Sequence, residues 1–105
     1  ITEFYETRMQ SPENYADTDL ADLDQPVSDY FAEFHADSAL GASVAPHECA
    51  YELFGDNFIF GTDYPFGPSR GRAGIENGLA AVDGMRIDDD EREGIHSGNL
   101  LDLIE

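Results

Sequence analysis

Apolar and aromatic residues at Ile1, Phe4, Tyr5 and Met9 recur with the spacing of one helix face, so residues 1–9 predict an amphipathic helix. Ser11-Pro12-Glu13 then reads as an N-cap with proline in the first turn. It opens an acidic stretch to Asp24 with only Tyr15, Leu20 and Leu23 to bury, which suits a solvent-facing helix or loop. Gln25-Pro26 breaks the chain, and a short helical turn capped by Ser28 or Asp29 is expected over residues 27–31. Near 33–39, Phe34, Ala36 and Ser38 alternate with His35, Asp37 and Ala39, the period of a strand.

Beyond Gly41 the period returns to that of a helix. Val44, Ala45, Cys49, Leu53 and Phe54 fit one face, with Pro46 in the first turn and Gly55 as the stop. Near 57–62 the run Phe58-Ile59-Phe60 is apolar without alternation, as in a parallel strand covered on both faces. A Pro- and Gly-rich loop follows to Gly71. The next helix sets Ile75, Leu79, Ala80 and Val82 on one side and breaks near Gly84. Asp88 is the expected cap of the last helical region, which buries Ile95, Leu100, Leu103 and Ile104; His96 before Ser97-Gly98-Asn99 is expected to close a helix. The order helix, strand, helix, strand, helix, helix implies an α/β fold with a parallel sheet of about two strands. Two parallel strands cannot cover their own faces and edges, so further chain or further copies must complete the sheet.

Charge narrows the set of partners. There are 23 acidic and 5 basic residues, all five of them Arg, for a formal net charge of −18. Such a surface repels phosphate, which argues against nucleic acid and anionic membranes as partners. A hydrophobic fraction of 41%, with seven Phe and five Tyr, argues for a folded chain rather than an acidic tail. A folded, lysine-free acidic surface fits salt adaptation, because molar salt screens the self-repulsion. No apolar run approaches the roughly 20 residues of a membrane span, and a cytoplasmic location is the expectation. The chain starts at Ile1 rather than Met, as a piece of a longer protein would.

Catalytic groups in parallel α/β proteins sit at the C-terminal ends of strands, and Asp63 follows the second strand at that end. A carboxylate there can hold a metal or move a proton; equally, an Asp before Tyr64-Pro65 can cap a turn. The other candidates read more simply. His35 suits a half-buried structural role and His47 an exposed one, Asp37 suits a structural hydrogen bond, and Cys49 suits core packing. The loop Gly67-Pro68-Ser69-Arg70-Gly71 matches neither a P-loop nor a dinucleotide fingerprint, and the acidic clusters lack calcium-loop spacing.

Residues 54–68, FGDNFIFGTDYPFGP, resemble the last-strand signature of amidohydrolase-related (β/α)8 barrels, in the branch of aminocarboxymuconate semialdehyde decarboxylase and the dihydroxybenzoate decarboxylases. Residues 29–40, DYFAEFHADSAL, resemble that family's seventh strand and its approach, and residues 90–103, DEREGIHSGNLLDL, its closing helix. The resemblance implies that residues 1–105 are the C-terminal piece of a TIM barrel, a partial barrel domain. Asp63 would then stand beside a divalent metal, usually zinc, and take part in proton transfer. Arg8 would contact the carboxylate of a small carboxylic acid substrate, although a surface charge on an acidic helix explains it as well. In the family the metal ligands are a His-x-His pair on the first strand and a His on the fifth, with another His at the sixth, and this chain holds none of those strands. His35, His47 and His96 are well separated, so the chain alone is expected to bind no metal tightly and to be inactive. The alternative is a non-enzymatic, self-associating acidic α/β protein; homo-oligomers are expected on either view.

Overall fold

The computed structural model describes residues 23–105, which belong to two compact units divided between Phe34 and His35. The expected helix at 1–9, most of the acidic stretch after Ser11, and Arg8 lie outside the described residues. In the first unit, helix α1 spans Val27–Ala32. Its cap differs from expectation: the helix starts directly after Pro26, whose carbonyl takes the N–H of Asp29 at 3.0 Å, so Ser28 and Asp29 lie inside it.

The second unit is mixed α/β, built on a two-stranded parallel sheet of β1 (Ala36–Asp37) and β2 (Phe58–Ile59). Ala36 pairs with Phe58 and Asp37 with Ile59. Both strands are shorter than the runs that predict them. Phe34 is exposed, and past Phe60 the backbone enters the proline loop.

Helix α2 (Val44–Phe54) joins the strands, and Gly55 ends it at φ 51°, a left-handed angle that a side chain would strain. The face it buries shares Val44 and Phe54 with the expected one and otherwise differs. His47 is fully enclosed, and Val44, Ala50, Tyr51 and Phe54 pack on the core, while Ala45 and Cys49 are exposed. Spacing of three and four residues links the observed set, with His47 occupying the position read as polar. The core itself is Phe58, Val82, Met85 and Ile95.

Helix α3 (Arg72–Asp83) packs against α2 and buries Gly78, Ala81 and Val82. Leu79 and Ala80, expected on the buried side, are exposed. Close approach explains Gly74: a Cβ there would lie 2.9 Å from the carbonyl oxygen of Thr62.

Asp88 caps α4 (Asp89–Glu93) as expected. Its carboxylate accepts the N–H of Glu91 at 2.8 Å, and the Glu91 carboxylate accepts the N–H of Asp88 at 2.9 Å. The helix does not close at His96. It continues through a wider π turn, Gly94–Gly98, into α5 (Asn99–Ile104). In that turn the Asn99 N–H reaches back to Gly94 O, and Ile95 O accepts the N–H of Phe60 at 2.9 Å. The Asn99 side-chain amide donates to Phe58 O at 2.9 Å. The closing helix thereby occupies main-chain groups of Phe58 and Phe60 on the edge of β2 away from β1. Of the apolar residues expected to be buried there, only Ile95 is; Leu100, Leu103 and Ile104 are 40%, 51% and 69% exposed.

Candidate functional site

Three residues beyond Phe60, the chain leaves β2 through Gly61 and Thr62 to Asp63. Ser38, at the matching end of β1, fixes this exit: its hydroxyl donates to Gly61 O and accepts the Gly61 N–H, both at 3.1 Å. Asp37 lies over the same point, since a Cβ on Gly61 would fall 2.7 Å from its Cβ. The Asp37 carboxylate accepts the N–H of Ala39 at 2.9 Å, the structural hydrogen bond expected of it.

Asp63 has φ 56°, an angle Asp tolerates better than most side chains. Its carbonyl, not its carboxylate, closes the following turn, accepting the Phe66 N–H at 2.8 Å across a cis Tyr64–Pro65 peptide. Thr62 Oγ1 accepts the N–H of Tyr64 at 3.3 Å. The Asp63 side chain is exposed, and among the described residues no hydrogen bond or ion pair engages its carboxylate. Tyr64 and Phe66 stand exposed beside it.

His35, Asp56, Asn57, Asn99, Asp102 and Leu103 line a cavity of about 230 Å³. His35 immediately precedes β1 and Asn57 immediately precedes β2, so this cavity lies at the N-terminal ends of the strands, opposite Asp63. His35 is exposed rather than half-buried. His96 packs against Phe60, with ring centroids 5.5 Å apart, and its Nε2 lies 3.2 Å from Asp83 Oδ1.

The described residues do not fit a metal ion. No group of three or more His, Cys, Asp or Glu among them could hold one, and a single carboxylate at Asp63 falls short of the three or four ligands a zinc site uses.

Among the described residues, Ser38 and His47 are buried polar side chains that escape a reading by sequence. His47 was expected to be exposed, yet its Nδ1 lies 2.7 Å from Ser43 O and its Nε2 3.0 Å from Ser38 O. The available signal was spacing: His47 stands three residues after Val44 and four before Tyr51, both on the buried face.

Among exposed charges, Arg86 grips Glu48 most completely. Its backbone N–H and Nε donate to Oε1 at 2.8 and 3.1 Å, and its terminal nitrogen donates to Oε2 at 2.9 Å. The side-chain and backbone hydrogen bonds from Arg86 hold the Glu48 carboxyl down at about 2.

Comparison with protein-family models, with curated proteins and with solved structures yields no match for this chain. Among the described residues no helix is long and apolar enough to cross a membrane.

Proposed function

We propose that this chain is the C-terminal part of a metal-dependent, amidohydrolase-related (β/α)8 barrel, in which β1 and β2 are the last two strands. The complete enzyme would act on a small carboxylic acid in the cytoplasm of a salt-adapted organism, by decarboxylation or by hydrolysis of a C–N or C–O bond. The observation that carries this reading is Asp63. It sits just past the C-terminal end of a parallel strand, on an exit pinned by Ser38, with its carboxylate unengaged among the described residues. The surrounding GTDYPFGP stretch resembles the family's last strand.

In the whole enzyme Asp63 would stand beside a divalent metal, with zinc the family's usual choice, held by His residues of strands this chain does not contain. Arg8 would contact the substrate carboxylate. The first strand of a closed barrel would take the edge of β2, so Asn99 and Ile95 would exchange their partners at Phe58 and Phe60 for it. Reading the coding sequence upstream of Ile1 tests the proposal. An open frame with a His-x-His pair near its start supports it, and a start codon at the boundary refutes it. The 105-residue chain alone is inactive on this reading, so zinc-dependent turnover of an aromatic or enoic carboxylic acid by the purified chain would count against it.

A second reading, a self-associating non-enzymatic protein, is favoured by the exposed Leu100, Leu101, Leu103 and Ile104 on the closing helix. Sedimentation in molar salt decides it: a monomer at all concentrations removes this reading.

A further inference from the structure

His47 is fully buried with both ring nitrogens facing main-chain oxygens, Ser43 O at 2.7 Å and Ser38 O at 3.0 Å. A carbonyl oxygen can only accept. A neutral imidazole has one N–H, so one of these contacts would set two lone pairs against each other; only the doubly protonated ring donates to both. Burial and the first turn of α2, at the positive end of its dipole, oppose that charge, and two charge-assisted hydrogen bonds offset part of the cost.

No carboxylate supplies the balance among the described residues. On β1, Asp37 takes the Ala39 N–H. On α2 itself, Glu48 is held by Arg86 and Glu52 is exposed. On α3, which packs against α2, Asp83 faces His96, and Arg72 and Glu76 are exposed. From β2 the uncharged Phe58 ring faces it edge-on, with centroids 6.3 Å apart.

The two carbonyls stand at either end of the exposed connection that leads from β1 to α2, and Ser38 O also accepts the N–H of Leu40, within that connection, at 2.7 Å. We propose that His47 is a proton-operated latch. Doubly protonated, it ties Ser38 O to Ser43 O and holds this connection closed; on losing the Nε2 proton it releases Ser38 O, the longer of the two contacts, and the connection opens. Because the Ser38 hydroxyl also grips Gly61, release reaches the exit of β2 that leads to Asp63. The latch rests on the geometry of the second unit and not on the enzymatic reading.

Imidazole ¹⁵N spectra and backbone amide exchange of the labelled 105-residue chain in molar salt test it, with His35→Gln and His96→Gln variants assigning the rings. On the acid side of the His47 titration both of its nitrogens should carry protons. Above it, one should lose its proton while exchange at Leu40 and Gly61, corrected for the intrinsic rate, accelerates about tenfold, the signature of a local opening. His47→Gln should lack this step; the wild-type measurement decides alone if that variant does not fold. A ring that keeps one protonation state throughout the folded range overturns the proposal, as does a titration that leaves exchange at Leu40 and Gly61 unchanged.

Discussion

Replacing Ser38 by alanine tests how the ends of the two strands are held together. The hydroxyl accepts the Gly61 N–H and donates to Gly61 O, each at 3.1 Å. In Ser38→Ala the carbonyl loses a donor but can turn to solvent, whereas the N–H keeps its desolvation without a partner. An unsatisfied buried donor costs about 1–3 kcal/mol. Gly61 is only partly buried, which places the expected loss at about 1–2 kcal/mol. A small domain holds on the order of 5 kcal/mol, so this is a large fraction of its stability. Urea is the suitable denaturant, because guanidinium would also change the ionic strength. With a slope of about 1 kcal/mol per molar for a domain this small, the midpoint should fall by about 1–2 M. Exchange at the Gly61 amide should accelerate with it. A midpoint moved by less than about 0.3 M, with Gly61 exchange unchanged, would refute the clamp.

Other substitutions probe separate elements. Asp88→Ala removes the carboxylate that accepts the Glu91 N–H and leaves the main-chain half of the capping box, and it should cost about 1 kcal/mol, visible as a lower urea midpoint; an unchanged midpoint rules the cap out as a source of stability. Gly74→Ala would put a methyl 2.9 Å from Thr62 O, so α3 or the strand exit must move; about 1–3 kcal/mol should be lost, and a neutral or stabilising result would mean the approach is looser than described. Glu48 has its carboxyl lowered from an ordinary 4.5 to about 2, so its contribution is complete above about pH 4.5 and is lost as pH falls through about 2. The stability difference between the wild type and Glu48→Gln should therefore shrink over that interval, and a difference independent of pH would contradict the assignment.

What could be read from sequence was set by local rules. Continuous apolar character marked β2, the Gly55 stop marked the end of α2, and Asp88 followed by Glu91 marked a helix start, because each depends on residues within a turn of one another. The strand at 36–37 and the parallel pairing followed from alternation and element order. Burial of His47 was not legible, since its partners are main-chain carbonyls at Ser38 and Ser43 that no side-chain type announces. Cys49 falls on the face that helical spacing predicts to be buried, but the helix turns its His47 face inward and leaves Cys49 exposed. The π turn was hidden for a related reason: Gly98-Asn99 looks like a helix end, and the Asn99 contact with Phe58 crosses 41 positions. Asp63 was found by its position after a strand, but its company in space was not; the described cavity is at the other end of the sheet.

The hold of the closing helix on β2 also governs how this protein can fail. A two-stranded sheet with a bare edge is a template onto which an incoming chain adds, and Asn99 and Ile95 block that site while the helix is docked. If the segment from Gly94 onward lifts, the edge of β2 and the buried Ile95 become available in the same event, next to Leu100 and Leu103, which are exposed already. Aggregation should then begin from partial detachment of this one helix and precede global unfolding. High salt would screen the repulsion between acidic chains that otherwise keeps them apart, so in such a medium the docked helix would be the principal protection against fibril growth.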